Sequence, residues 1–296
     1  MSKSRSVGII LVMLSALLWG SIGFFIQKMN GFGFDSLQIA FLRLASAAVF
    51  NMILLFCMQP HDFGIKVRDI PLFLGLGIGS VALMVCCYFL AIQMCALSTA
   101  SILMYLSPIW VMLMSALFFH EKITGRKIIA LVFALAGCIL VAGVAQQTSS
   151  PLGIMLGILA GISYALYSIL SRIALKRYTP FAVTAYAFLI ATVATIFVVD
   201  IYDIIQKIVY IENAGTFILW TACLGIFTAV LPFLLYTIAL HWIEASHAAI
   251  LATLEPVVNA LVGVFLFHER LTLLSIIGMG CIISTVVILN TNTKHE

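Results

Sequence analysis

Apolar residues run through this chain in long unbroken blocks separated by short polar gaps. "VGIILVMLSALLWGSIGFFI" near the start and "LLSIIGMGCIISTVVILN" near the end show the pattern. About 18 or more such residues cross a roughly 30 Å hydrocarbon layer as a helix. The strict alternation of a membrane-barrel strand is absent. The blocks predict ten transmembrane helices, near 7–27, 37–58, 71–92, 98–119, 127–145, 152–175, 181–200, 217–241, 246–267 and 273–290. Their connections leave no room for a separate soluble domain. The basic head "MSKSR" has the look of a signal sequence, but the apolar stretch after it continues to Ile26, longer than a signal core, and reads as an uncleaved first helix.

Composition agrees: 64% of the 296 residues are hydrophobic and 9% charged, where a soluble domain has roughly half and a quarter. The net charge of +4 is explained by loops, not by a nucleic-acid partner. With the N-terminus inside, the inner segments hold Lys3, Arg5, Lys66, Arg68, Lys122, Arg126, Lys127, Arg172, Lys176, Arg177 and Lys294, and the outer ones Lys28, Lys207 and Arg270. That bias predicts a cytoplasmic-membrane protein with both termini cytoplasmic. The seven cysteines form no C-x-x-C pair, so neither a metal nor a disulfide framework is expected.

The chain also repeats itself. Residues 98–124 align with 246–272 without a gap and with eleven identities, pairing Pro108 with Pro256 and His120-Glu121 with His268-Glu269. At the same offset Gly77 meets Gly225 and Tyr88 meets Tyr236; near the start of each half Gly8 meets Gly153 and Trp19 meets Tyr164. Two five-helix units follow, 1–146 and 151–296, split around Gln146 to Pro151. Five is odd, so the second unit enters the membrane from the opposite side. Inverted repeats of this kind underlie many secondary transporters, with a site near the midplane and two access routes.

The two "SPIWVMLMSALFFHE" and "EPVVNALVGVFLFHE" segments, the Trp19-Gly20 pair and "FLRLASA" from Phe41 to Ala47 resemble the drug/metabolite transporter superfamily, EamA type, over nearly all of 7–290. The resemblance implies a ten-helix carrier for small metabolites, often an exporter.

Glu255 lies nine residues into its predicted helix, about 13 Å deep. A charge there costs roughly 2.5–3.5 kcal/mol and ordinarily faces a wet cavity or a partner. Pro256 withholds a backbone donor from the Ala252 carbonyl, so carboxylate and carbonyl together predict a spot of negative potential. Asn259, one turn on, shares the face of Glu255. The plainer alternative is a helix-to-helix tie. Ser107 replaces the carboxylate in the first repeat and shares a stripe with Leu103 and Trp110, while Ser98, Ser101 and Tyr105 form another; the repeat favours the Ser107 stripe for the cavity. Trp19 and Tyr164 are mid-membrane aromatics suited to stacking or cation–π contact with a ligand, or to packing. Tyr88 and Tyr236 are candidates for opposing gates or for interfacial anchors. Arg43, about 9 Å below the outer helix end, is within snorkelling reach of water or could pair with a substrate carboxylate or with Glu255; a gating or structural role is favoured, as for Pro108 and Pro256.

"HEKIT" and "HERLT" lack the second histidine of a zinc-protease motif and read as helix-end residues. "HWIEASH", with His241, Glu244 and His247, reads as a solvated loop. No nucleotide fingerprint or nucleophile elbow is present, so the chain is not expected to be an enzyme or to hold a cofactor. The expected partners are a small-molecule substrate, the lipid bilayer, and protons or another coupling ion. The leading reading is alternating-access export of a small amphipathic, amino-acid-like or drug-like metabolite. Uptake or exchange of an organic cation is the alternative, and a non-transporting receptor the reading from a different class.

Overall fold

Long apolar runs in a bilayer satisfy their backbone polar groups within each segment, and this dictates helices. The computed structural model describes residues 3–143, 150–268 and 270–290, apart from the side chains of Lys3 and Asp62. The predicted junction residue Gln146, Glu269 of the second His-Glu pair, and Lys294 lie outside them. Among the described residues, the protein is an all-helical membrane protein with nine helices long and apolar enough to span, and a tenth, bent one. In chain order they are α1 (Ser4–Asn30), α2 (Ser36–Met58), α3 (Val67–Met94), α4 (Leu97–Phe119), α5 (Gly125–Ala142), α6 (Pro151–Ala174), α7 (Pro180–Ile196), the short α8 (Ile201–Val209), α9 (Ala214–Ala239), α10 (Ala245–Phe267) and α11 (Leu273–Asn290).

One element is new relative to the sequence reading. The seventh span stops at Ile196, and the chain turns by 98° into α8. Tyr202 and Val209 are exposed there while Ile204 packs inward, an amphipathic pattern suited to lying along an interface. Asp200 accepts from the backbone N–H of Asp203 and caps α8, which is why 197–200 ends one helix and starts another.

The two halves match element by element. Pi-helical segments occur at Gly75–Ala82 in α3 and Ile226–Val230 in α9. α4 is interrupted at Tyr105–Leu106 and α10 at Thr253–Leu254, and both end on a left-handed histidine, His120 (φ 54°) and His268 (φ 55°). Packing obeys the same relation: α3 lies on α6 and α7 as α9 lies on α1 and α2, α4 lies on α6 as α10 lies on α1, and α5 crosses α11. The repeat-related glycines show it most sharply. A Cβ on Gly8 would stand 2.9 Å from Ile243, at the end of α9, and one on Gly153 would stand 2.5 Å from Cys95, at the end of α3. Residues 95 and 243 are themselves repeat mates at the offset of 148. Small residues at these crossings let the helix backbones approach.

Candidate functional site

The interruptions in α4 and α10 build the centre of the molecule. Pro108 and Pro256 stand in the first turn of the second helical arms, where a missing N–H costs no intrahelical bond. Glu255 opens its arm, so its carboxylate sits at the positive end of a half-helix. The half-helix dipole offsets part of the negative potential expected of the carboxylate and the Ala252 carbonyl that Pro256 leaves without a helical donor.

Glu255, Asn259, Arg43, Trp19 and Tyr164 line one cavity of about 380 Å³. Tyr88, Ser101, Tyr105 and Ser36 complete its polar lining. Tyr105 donates its hydroxyl to Glu255 Oε1 at 3.4 Å, and the Tyr88 and Ser101 hydroxyls are 3.0 Å apart. Arg43 donates through Nε to Thr228 Oγ1 at 3.0 Å and through Nη2 to the Thr228 carbonyl at 2.6 Å. Thr228 belongs to the pi-helical segment of α9, whose altered ladder offers that carbonyl. No ion pair joins Arg43 to Glu255 among the described residues. One fixed cation and one carboxylate therefore face the same space, each with capacity left for a ligand.

Ile26, Ser36 and Leu97 line the same cavity and stand at the helix ends beside Lys28, so the cavity opens at that end of the bundle. Its floor is aromatic. Trp19 packs on Phe233 (ring centroids 5.1 Å apart), Tyr236 (5.5 Å) and Tyr164 (6.2 Å).

Four expectations change here. Ser107 does not line this cavity; it borders a separate void of about 10 Å³ beneath it, with Ser168, Tyr164 and Tyr236. Trp110 does not line it either and packs against the buried core. The physical reason is the turn at Tyr105–Leu106: stripes drawn on a continuous helix lose register across it, and the Ser101–Tyr105 stripe turns to the cavity instead. Tyr88 and Tyr236 are not interfacial anchors, since Tyr88 lines the cavity and Tyr236 is buried with its hydroxyl 2.8 Å from Ser168 Oγ.

Gly20 explains the Trp-Gly pair of α1. A Cβ there would stand 2.8 Å from the Glu255 carbonyl and 2.5 Å from Val258 Cβ. Gly20→Val is expected to cost about 1–3 kcal/mol by overpacking, read as a lowered melting temperature, and to impair any ligand binding at Glu255.

The opposite end, beside Arg5, is sealed by charge. Glu121, a helix-end residue by its place in the sequence, reaches across to cap α10. It accepts from the Ala245 N–H at 3.1 Å, the Ser246 N–H at 3.4 Å and the Ser246 hydroxyl. Arg172 donates to Oε1, the oxygen that also accepts from Ala245, while lying over the Phe119 ring at 4.8 Å. Lys127 Nζ stands 3.7 Å from Glu121 and 2.7 Å from Glu244. The "HWIEASH" loop is thus part of an ionic cluster, which corrects its reading as simply solvated. The signal available in the sequence was the carboxylate kept at 121 and 269, with a serine kept at 98 and 246.

The hydrogen bond from His247, together with that from Lys127 and its charge, holds the Glu244 carboxyl down at about 2. A depressed carboxylate contributes stability above its unfolded value near 4.5, lost as pH falls through the folded value. Closure through Glu244 is therefore expected to be flat from pH 8 to about 5 and to weaken between about 4.5 and 2, measurable as proteolysis of the 241–244 loop against pH.

Two halves of matching build, a carboxylate at a helix break in a cavity open at one end, and an ionic seal at the other are the build of a carrier. A family model described as the EamA-like transporter family matches residues 6–143 and again 151–291. The chain belongs to the EamA-like transporter family. An uncharacterized transporter of Archaeoglobus fulgidus is 31% identical over 277 residues, covering 94% of each chain. The pseudopaline exporter CntI of Pseudomonas aeruginosa is 24% identical over 189 residues, covering 64% of this chain and 65% of its own. A solved crystal structure superposes with a TM-score of 0.79 at 18% identity, covering 97% of both chains, and shares the fold. This EamA-family chain is a membrane transporter and not an enzyme.

Proposed function

We propose that this EamA-family chain exports a small zwitterionic, amino-acid-like metabolite with an apolar body by alternating access. The observation that carries the reading is the pair of opposite charges facing one cavity without joining each other: Glu255 with Tyr105 as its hydrogen-bond partner, and Arg43 tied to Thr228 through only part of its fork. A ligand bearing an ammonium and a carboxylate bridges them, and its apolar part lies on Trp19 and Tyr164. Asn259 offers an amide on the Glu255 face. A volume of about 380 Å³ stands at the small end of ligand pockets, which run to roughly 1,000 Å³.

With the Arg5 end cytoplasmic, as the lysine and arginine bias favours, the cavity opens outward and the Glu121 cluster closes the inner mouth, a state that an exporter adopts on release. Similarity to an exporter over 64% of the chain supports this direction. Proton coupling would rest on Glu255, the one carboxylate of the cavity among the described residues.

Counterflow in proteoliposomes tests the reading. Apolar amino acids and betaines are expected to drive exchange, while their esters and N-acyl forms, each lacking one charge, are not. Exchange confined to organic cations would favour the uptake or exchange alternative. Saturable binding with no movement across a sealed bilayer would make the protein a receptor.

A further inference from the structure

The void of about 10 Å³ beneath the transport cavity has room for roughly one water molecule. Among the described residues, every one that borders it is the repeat mate of a residue lining the cavity. At the offset that relates Pro108 to Pro256, Ser107 answers to Glu255, Val111 to Asn259 and Tyr236 to Tyr88. Ala249 and Ala252 answer in the same way to Ser101 and Met104. At the offset that relates Gly8 to Gly153, Tyr164 answers to Trp19 and Ser168 to Gly23. Packed helices leave small voids anywhere, but chance does not give one of them a lining that maps whole onto another cavity.

The match continues toward the Arg5 end. Leu97, exposed where the cavity opens, has as its mate Ala245, which is fully buried and gives its N–H to Glu121. The ionic cluster therefore stands where a second pocket would have its mouth. Two hydrogen bonds tie the walls of this half, Tyr167 to Thr237 and Ser168 to Tyr236, both at 2.8 Å. Their mates in the open half are Ile22 with Phe89 and Gly23 with Tyr88, pairs whose side chains have no such bond to make.

We propose that this void is the closed, Arg5-facing half of the transport pocket, held shut by those two hydrogen bonds and by the Glu121 cap. The second arm of α4 packs on the first arm of α10 around it, while the repeat mates of those arms flank the open cavity. An inverted repeat exchanges the two shapes between its halves. The exchange is chemically uneven. Hydroxyls of Ser107, Tyr164, Ser168 and Tyr236 stand in for the carboxylate and amide of the open half, and no charged side chain borders the void. On the zwitterion reading above, on which this part rests, the ammonium keeps Glu255 as its counter-charge and the inner hydroxyls take over the substrate carboxylate from Arg43.

Labelling of single cysteines tests the pocket without any substrate. In the full chain with its seven native cysteines replaced, Ser101→Cys, Ala249→Cys and Ala248→Cys meet a membrane-impermeant maleimide from each side of sealed, oriented vesicles. Position 101 is expected to react from the Lys28 side, and its mate, position 249, to stay at background from both sides. Adding Glu121→Gln should raise reaction at 249 from the Arg5 side by a factor on the order of a hundred. Adding Ser168→Ala in its place should raise it roughly 2- to 10-fold. Position 248, buried and off the void, should stay unreactive in both. Reaction at 249 from the Lys28 side, equal gains at 248 and 249, or silence at 249 in both variants would overturn the proposal. Leucine counterflow tests the ligand chemistry: Ser107→Ala should slow exchange about tenfold or more, as the loss of a hydrogen bond to a charged group does. Unchanged exchange in that variant would remove the hydroxyl from the path. Leucine driving no exchange in the unaltered protein would overturn the zwitterion reading alone, since the labelling decides the pocket.

Discussion

Glu255→Gln is expected to abolish transport while leaving the protein as stable as before, or more so. The two effects have opposite sign because they have different origins. A carboxylate at mid-membrane depth costs roughly 2.5–3.5 kcal/mol, and its place at the start of a half-helix returns only about 0.3–2 kcal/mol of that. Glutamine removes the charge and retains a hydrogen-bond acceptor for Tyr105. A bound ammonium, however, loses its counter-charge in a desolvated cavity, which costs about 2–5 kcal/mol of binding, or roughly 30-fold to more than a thousandfold in affinity. Counterflow and a melting curve on the same preparation read both signs. A variant that transports normally removes Glu255 from the substrate site. A variant that melts well below wild type makes Glu255 a structural tie between helices.

Glu121→Gln is expected to open the Arg5 end. The carboxylate is buried and takes the N–H groups of Ala245 and Ser246, the Ser246 hydroxyl and the Arg172 guanidinium, with Lys127 nearby. Removing its charge leaves the partly buried Arg172 guanidinium without a counter-charge while Lys127 keeps Glu244 at 2.7 Å, a cost at the lower end of the roughly 3–5 kcal/mol of a broken buried pair. That cost falls on the sealed state alone, because an open end exposes the same groups to water. The population of the sealed state relative to the open one should fall by a factor on the order of a hundred or more. Amide hydrogen exchange across 245–252 reports it: protection of the α10 amino end should drop by a similar factor while α5 and α11, which pack on each other, keep theirs. Equal loss of protection in all three helices would mean global destabilisation and would remove Glu121 from the seal.

Much of this architecture is legible in the sequence because a bilayer constrains it. Apolar runs must be helices, and a repeat of odd span number must invert. Glu255 stands out because a carboxylate within an apolar block has few physical excuses. What stayed hidden is tertiary. The turns at Tyr105–Leu106 and Thr253–Leu254 change which stripe of each helix faces inward, and only the prolines two or three residues on hint at them. For that reason the sequence alone points Ser107 and Trp110 to the cavity, whereas Ser101 and Tyr105 line it. Glu121 looked like the end of its own helix, whereas it caps another helix 124 residues away. Its role depends on a partner that no local pattern names. The α8 helix falls in the connection between the predicted seventh and eighth spans, because a nine-residue helix capped at Asp200 carries little weight in a search for long apolar blocks, and Phe197 to Val199 are apolar enough to prolong the seventh span to its end.

The central claim is that one cavity around Glu255 opens alternately to the two sides of the membrane. The most direct measurement places a single cysteine at Asn259, with the seven native cysteines replaced, and applies a membrane-impermeant maleimide from each side of sealed, oriented vesicles. The account predicts modification from the Lys28 side, protection by a transported substrate, and new modification from the Arg5 side when Glu121→Gln is added. Labelling from neither side, or a pattern unchanged by Glu121→Gln, would contradict it.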